Sequence, residues 1–327
     1  MTDAKPPVRV GVIGLGRMGQ NHVRVLSLLN GADLRFVYDI DGAAAQRVGN
    51  SYGVAAAQDF DAALGEVEAV IIASPTTTHD DYVRRAAAQV RNLFVEKPLT
   101  DRLDSSQAIG ALAEERDLHL QVGFIERFNP AVDQMKRLLD RSEQVVSVDF
   151  ARTNKISARI TDVDVVTDLM IHDIDLALYL NGPVTEVAAH GVAEGSMIDY
   201  AAALLTHENG RFSRIQASRI TDRKMLSIQA TCNDMFVDCE LLRKEITLSR
   251  QSEVQQRPGE PYRITAVEEK IEVPPSEALL LELQAFVAGC RGDAVAAAPG
   301  VREAIAAMEI CDHVQRTLYR GQARASA

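Results

Sequence analysis

The sequence predicts an α/β protein in two parts: an N-terminal doubly wound parallel sheet, then a C-terminal α/β domain on a mostly antiparallel open sheet. Three observations predict it. Short apolar runs alternate with helical patterns over the first third of the chain. A glycine-rich turn joins the first run to the first helix. After Gly123 the runs alternate with period two and several follow one another without helices between them. The length, 327 residues, suits two domains, and the change of pattern sets them at 1–123 and 124–327.

Each element follows from its own residues. Residues 8–13 form a β-branched run, and 18–29 carry a helical pattern that stops at Asn30-Gly31. A strand at 34–38 precedes a helix at 42–52, which Gly53 ends. Residues 69–73 are apolar throughout, as a strand buried on both faces requires. Helices at 79–90 and 105–116 alternate with strands at 93–95 and 118–122. Beyond Gly123 the pattern predicts a helix at 130–139 and strands at 144–150, 185–192, 200–206, 211–219, 225–231, 235–239 and 245–248. A helix at 167–180 interrupts them and stops at Asn181-Gly182-Pro183. Residues 249–261 read as an exposed loop, 276–290 and 301–319 as helices, and 321–327 as a frayed end.

Composition narrows the partners. Hydrophobic residues make up 46% and charged residues 25%, ordinary values for a globular protein. A net charge of -11 weighs against nucleic acid and against an anionic membrane surface. It leaves room for an anionic small substrate, which needs only one local basic pocket. No apolar run is long enough to span a bilayer, and the first nine residues carry no secretory h-region. Cys232, Cys239, Cys290 and Cys311 form no C-x-x-C pair and read as reduced, buried thiols of a cytoplasmic protein.

The glycine turn is Gly14-Leu15-Gly16-Arg17-Met18-Gly19, a G-x-G-x-x-G between a strand and a helix. Gly14 permits the tight turn, Gly16 lets backbone approach a pyrophosphate, and Gly19 lets helix and strand pack closely. The helix start at Arg17 and Met18 turns unpaired N–H groups toward the phosphates. Asp39 ends the second strand twenty residues after Gly19, where a carboxylate binds the ribose diol. A carboxylate there repels a ribose phosphate, so the expected cofactor is NAD rather than NADP, although Arg47 downstream could soften the preference. The first domain is thus expected to be a Rossmann domain.

Two loops that follow strands of the parallel sheet should line the same cleft. In Ser74-Pro75-Thr76-Thr77-Thr78-His79, the residues Ser74, Thr76 and His79 are candidate cofactor contacts; His79 reads equally well as a plain helix N-terminal residue. Glu96-Lys97-Pro98 supplies Glu96 and Lys97. Lys97 ends a buried strand, where desolvation would lower its pKa, and Pro98 suggests a rigid, cis-compatible turn. A second cluster is Asp168, His172 and Asp175, spaced i, i+4, i+7, which on a helix form one stripe. Asp168 is favoured there by the helix dipole, and a carboxylate beside an imidazole orients it and supports its charged form. An acidic helix start with an incidental histidine is the plainer reading. A metal site lacks a third ligand at suitable spacing, so none is expected. Oxidising a secondary alcohol needs a base, a cation to steady the alkoxide and a hydride acceptor. His172 and Lys97 supply the first two, and either can hold the proton first.

These pieces together resemble the glucose-fructose oxidoreductase/inositol dehydrogenase/rhizopine catabolism family. The matches are residues 11–22 (GVIGLGRMGQNH), Glu96-Lys97-Pro98, Val122-Gly123-Phe124 with Arg127-Phe128-Asn129-Pro130, and Asp168-x-x-x-His172-x-x-Asp175. The resemblance implies a second domain that binds substrate, with homodimers or homotetramers built through its sheet, and it assigns catalysis to Lys97, Asp168 and His172. Met170 stands where many members have glycine, which points away from a free-sugar or inositol substrate. Residues 122–132 and 168–180 are more similar to the branch of UDP-N-acetylglucosamine 3-dehydrogenases. That branch makes a 3-keto sugar for diamino-sugar lipid A. A UDP-sugar carries a diphosphate, for which Arg127, Arg152, Lys155, Arg159, Arg219, Arg223 and Lys224 are available. Lys97, Arg127, Arg152, Asn154, Asp168 and His172 are the expected substrate contacts. The competing expectations are a dehydrogenase of a free sugar or inositol, an NAD-retaining glycosidase or epimerase, and a non-enzymatic sensor of nicotinamide state.

Overall fold

The computed structural model describes residues 5–155, 163–194, 197–251, 266–293, 295 and 298–325. The chain divides into two compact units, Met1–Phe128 with Ser276–Met308, and Asn129–Pro275 with Glu309–Ala327. A split after Gly123 therefore differs in two ways: the turn after Gly123 and the segment Ser276–Met308 pack with the first unit.

In the first unit, β1 (Val8–Ile13) leads into α1 (Arg17–Leu26), followed by β2 (Ala32–Tyr38) and α2 (Gly42–Tyr52). Next come β3 (Ala55–Ala56), α3 (Phe60–Ala63), β4 (Ala69–Ile72) and α4 (His79–Ala86). The series closes with β5 (Asn92–Glu96), α5 (Leu103–Glu115) and β6 (His119–Gly123). The six strands are parallel, in the order β3-β2-β1-β4-β5-β6. This is the doubly wound order with its reversal between β1 and β4, where such sheets bind ligands. All four residues of β4 are buried, as its unbroken apolar run requires. Helix α2 begins on Asp41, whose carboxylate accepts from the Ala43 and Ala44 N–H groups, and ends on Gly53 at φ +68°.

The core of this unit recruits a helix from far along the chain. In α8 (Ala278–Cys290), Leu279, Leu283, Phe286 and Val287 join Val10, Val12, Val23 and Phe94 in one buried cluster. The Phe286 ring meets Phe94 edge-on at 5.6 Å and stacks on His119 at 5.7 Å. Gly289 lets the helix close on that imidazole, since a Cβ there would sit 2.4 Å from two ring atoms of His119.

The second unit starts with α6 (Pro130–Leu139) and β7 (Val145–Thr153). A π turn (Val166–Met170) runs into α7 (Ile171–Asn181). Seven strands follow: β8 (Val184–Glu194), β9 (Met197–His207), β10 (Phe212–Ser218), β11 (Met225–Cys232), β12 (Phe236–Glu240), β13 (Glu245–Gln251) and β14 (Ala266–Ile271). The sheet order is β14-β13-β12-β11-β7-β10-β9-β8, antiparallel except where β10 runs parallel to β7. One face buries Val148, Phe150, Ile215 and Ala217 against α7, while Asp149, Ala151, Arg214 and Gln216 line the other. Sequence periodicity missed β14 because Glu268, Glu269 and Lys270 are exposed on an edge strand, where charge protects rather than disrupts. The expected loop at 249–261 gives way to β13 as far as Gln251, and its remainder lies outside the described residues. Of the end expected to fray, residues 321–325 belong to α9 (Val301–Ala325) and 326–327 lie outside the described residues. Among the described residues no helix is long and apolar enough to cross a membrane.

Because α8 completes the first unit's core, Phe286→Ala should cost about 3–5 kcal/mol by removing a fully buried ring. Denaturant titration measures it, and a loss below about 1 kcal/mol would mean that α8 is dispensable to that core.

Candidate active site

The cofactor end is built where β1, β2, β4 and β5 finish. Gly14 turns the chain at φ +82°, with a position so tight that a Cβ would lie 2.4 Å from the Ser74 nitrogen. At Gly19 a Cβ would lie 1.8 Å from the Gly14 carbonyl oxygen, so α1 can sit on the turn only without a side chain. Gly16 is different: a Cβ there meets nothing within 4 Å. Gly16 is also the N-cap of α1 and supplies no side-chain cap to the first N–H groups. Open space in front of uncapped N–H groups at a helix start is what a diphosphate requires.

Asp39 follows β2 with both oxygens engaged. Oδ2 accepts from the Leu15 N–H at 2.7 Å, and Oδ1 from the Asp41 N–H at 2.8 Å. The carboxylate is thus fixed beside the glycine turn, with lone pairs left for a ribose diol. Arg47 is 3.8 Å from Asp41, an exposed pair. The observed residues fit NAD: a phosphate cradle, a rigid carboxylate for the diol, and exposed Arg17 and half-buried Met18 at the helix start.

Two of the expected contacts have internal partners. His79 is 1% exposed and its ring joins two loops, Nε2 lying 3.0 Å from the Ser74 carbonyl and Nδ1 3.0 Å from the Pro98 carbonyl. Burial pushes its pKa down, partly countered by those two carbonyls and by Glu96. Glu96 is 9% exposed, with Oε1 2.7 Å from His22 Nε2 and Oε2 accepting from the Lys97 N–H at 3.3 Å. Ser74 and Thr76 remain half-buried on the loop surface, and the Thr78 hydroxyl donates to Ser74 Oγ or the Pro75 carbonyl. Lys97, half-buried, begins the turn after β5, and its bond to Pro98 is cis.

In the second unit the acidic cluster does not lie on one α-helical stripe. The π turn bonds i to i+5 and changes the angular spacing between Asp168 and His172. Asp168 and His172 are half-buried, whereas Asp175 is 1% exposed. Asp168 meets Arg219, whose Nη2 lies 3.3 Å from Asp168 Oδ2 while its Nη1 donates to the Val163 carbonyl at 2.6 Å. Asp164 caps the π turn, accepting from the Val166 and Thr167 N–H groups and from Gln315 Nε2 at 2.7 Å. Sequence reasoning missed Asp164, although an aspartate just ahead of a helix is a capping signal. It also placed Arg219 only among seven loose cations; nothing in the sequence couples it to Asp168.

The remaining cations divide. Arg152 is 6% exposed and forks onto Asp173, its Nε and Nη2 reaching both carboxylate oxygens at 2.9–3.2 Å. Lys155 pairs with Asp222 at the surface. Asn154 continues the β7–β10 pairing through its N–H to the Ser218 carbonyl. Arg223 and Lys224 are exposed. Arg127 is 7% exposed and packs in the first unit, not the second. Arg159 lies outside the described residues.

Residues 8–124 match the model described as the oxidoreductase family with an NAD-binding Rossmann fold, and residues 142–235 match the GFO/IDH/MocA C-terminal domain. The chain belongs to the GFO/IDH/MocA oxidoreductase family, and its cofactor is NAD. The family relatives include UDP-N-acetylglucosamine 3-dehydrogenase of Acidithiobacillus ferrooxidans, 30% identical over 86% of this chain and 88% of that one. The NAD-dependent scyllo-inositol 2-dehydrogenase of Bacillus subtilis is 33% identical over 65% and 67%. A solved structure of the Acidithiobacillus ferrooxidans enzyme superposes with a TM-score of 0.84, covering 95% of this chain and 98% of that one at 26% identity. As an NAD-binding member of the GFO/IDH/MocA family, the chain should lose NAD affinity in Gly16→Val while keeping its thermal midpoint. Calorimetric titration with NAD measures the first and a melting scan the second; unchanged affinity would remove the diphosphate from this turn.

His79 also sets a pH dependence. Its folded pKa is depressed, so below about 6.5 the unfolded chain binds a proton that the folded one resists. Stability should therefore fall as pH drops through that value toward the folded pKa. Half-buried His119 and buried His207 are depressed by burial too and add to the slope. Melting midpoints between about pH 5 and 8 should show a shallower acid slope in His79→Gln than in the unaltered protein; equal slopes would rule out His79.

Proposed function

We propose that this oxidoreductase oxidises the 3-hydroxyl of UDP-N-acetylglucosamine to the 3-keto sugar nucleotide, upstream of an amine-installing step toward diamino-sugar lipid A. The observation that carries the reaction class is Asp168, held by buried Arg219 in the π turn just before His172. A carboxylate fixed in that way orients an imidazole and supports its charged form. His172 then takes the hydroxyl proton, and Lys97 steadies the alkoxide. NAD, when bound, supplies the hydride acceptor.

Substrate choice rests on similarity and charge. Similarity to the UDP-N-acetylglucosamine enzyme extends over most of both chains, whereas that to the inositol enzyme covers about two thirds. Thr153, Ser218 and Met225 are neighbours in the sheet, so Lys155, Arg219, Arg223 and Lys224 gather at one end of β7, β10 and β11. That basic end suits a diphosphate better than an uncharged polyol. The inositol relatives support a second reading, NAD-dependent oxidation of a cyclitol or free sugar. We further infer a homodimer or homotetramer through the open sheet face, where exposed Leu204 lies among small residues, and a reducing compartment that suits four free cysteines.

Incubation with NAD and UDP-N-acetylglucosamine should give a product lighter by two hydrogens with its nucleotide intact, read by mass. Lys97→Ala should lower that rate by about a hundredfold or more while NAD still binds. Turnover of inositol or a free hexose, with none of the nucleotide sugar, would overturn the substrate in favour of the second reading.

A further inference from the structure

We propose that His22 is a positioning residue for Lys97, tying the helix that starts at the glycine turn to the turn that presents the lysine. This inference rests on the reading of Lys97 as a catalytic group. His22 lies in α1 and is 0% exposed, its ring edge-on to Phe94 at 5.2 Å. Its Nε2 is 2.7 Å from Glu96 Oε1, and the other oxygen of Glu96 accepts from the Lys97 N–H at 3.3 Å. One carboxylate therefore bridges a helix on one side and the main chain of Lys97 on the other.

The surroundings are shaped for that carboxylate. Gly123, next to Glu96 in the paired β6, leaves room for it: a Cβ there would lie 2.9 Å from Glu96 Oε2. Burying a carboxylate costs several kcal/mol unless donors meet it, and here His22 Nε2 and the Lys97 N–H meet it. Nδ1 of His22 has no hydrogen-bond partner among the described residues, which leaves Nε2 as the ring nitrogen engaged by Glu96. His22 is fully buried, so its ring acts on Lys97 only through Glu96. What the pair accomplishes is register: α1, which carries the phosphate cradle, cannot shift along β5 without breaking a buried bond to the residue preceding Lys97. Catalytic groups lose rate steeply when misplaced by about an ångström, which gives such a tie its value.

The test compares His22→Leu, which keeps volume without a donor, with His22→Gln, whose amide can donate. Three quantities are read: NAD affinity by calorimetry, backbone hydrogen exchange across residues 94–100, and turnover of whichever alcohol passes the screen above. In His22→Leu, exchange at Lys97 should quicken about tenfold, and kcat should fall about tenfold with KM and NAD affinity little changed. His22→Gln should recover most of both. Unaltered exchange and kcat in His22→Leu, a loss of NAD affinity in step with kcat, or a glutamine variant no better than leucine would each overturn the proposal. If His22→Leu does not fold, Glu96→Gln weakens the same bond at constant volume and must quicken exchange at Lys97. If no alcohol is turned over, the reading of Lys97 fails, and the exchange measurement alone decides whether the tie exists.

Discussion

The first unit depends on a single close approach: α1 rests on the turn after β1 with no atom to spare. The Gly14 carbonyl oxygen occupies the space that any side chain at position 19 would need. This contact sets the axis of α1, and with it the direction of the uncapped N–H groups at Arg17 and Met18. Because α1 is placed so closely, its inner face can reach β5, and His22 can meet Glu96. Gly16, open above the same turn, shows the opposite use of glycine: space is kept for something other than protein.

Most of this was legible in the sequence, for a physical reason. A glycine turn, an apolar run or an acid at the end of a strand acts through neighbours a few residues away, so spacing along the chain reports it. The parallel character of the first sheet, Asp39 at the end of its second strand and the helix stops at Gly53 and Asn181 belong to this class. The features that stayed hidden act across distance in the chain. Phe286 reaches Phe94, Glu96 reaches His22, and Arg219 reaches Asp168 over separations that no periodicity spans. β14 stayed hidden for a different reason, since an edge strand carries charge on purpose and so loses its alternation. The π turn at Val166–Met170 was also invisible, because a single inserted residue leaves the apolar pattern of a helix nearly intact.

Charge in the second unit shows the same division between local pattern and distant pairing. Seven cations could be counted toward an anionic substrate, yet the fold commits several of them. Arg152 is locked on Asp173 inside the unit, where removing either partner would strand a buried charge. Arg219 is committed to Asp168 and to the Val163 carbonyl. Lys155 and Asp222 offset one another at the surface. Among the described residues, Arg223 and Lys224 remain outward, in the turn between β10 and β11 beside the strand end that carries Arg219. A chain with a net charge of -11 thus retains a small basic edge at the strand end beside Arg219 and Asp168.

The preference for NAD has a comparable basis in rigidity. A carboxylate at the diol can discriminate against a 2′-phosphate only if it cannot swing aside. Asp39 is held at both oxygens by main-chain N–H groups, one from the glycine turn and one from the start of α2, so moving it would break two bonds and disturb the phosphate cradle as well. Arg47 is the nearby cation that could have welcomed a phosphate, but it faces Asp41, the residue that caps α2. Turning Arg47 toward a phosphate would leave Asp41 beside it, adding a second negative charge to the first. The carboxylate placed for a diol and the one that starts the next helix therefore act in the same direction, both setting negative charge against a 2′-phosphate, and the first is held there by the backbone of the turn.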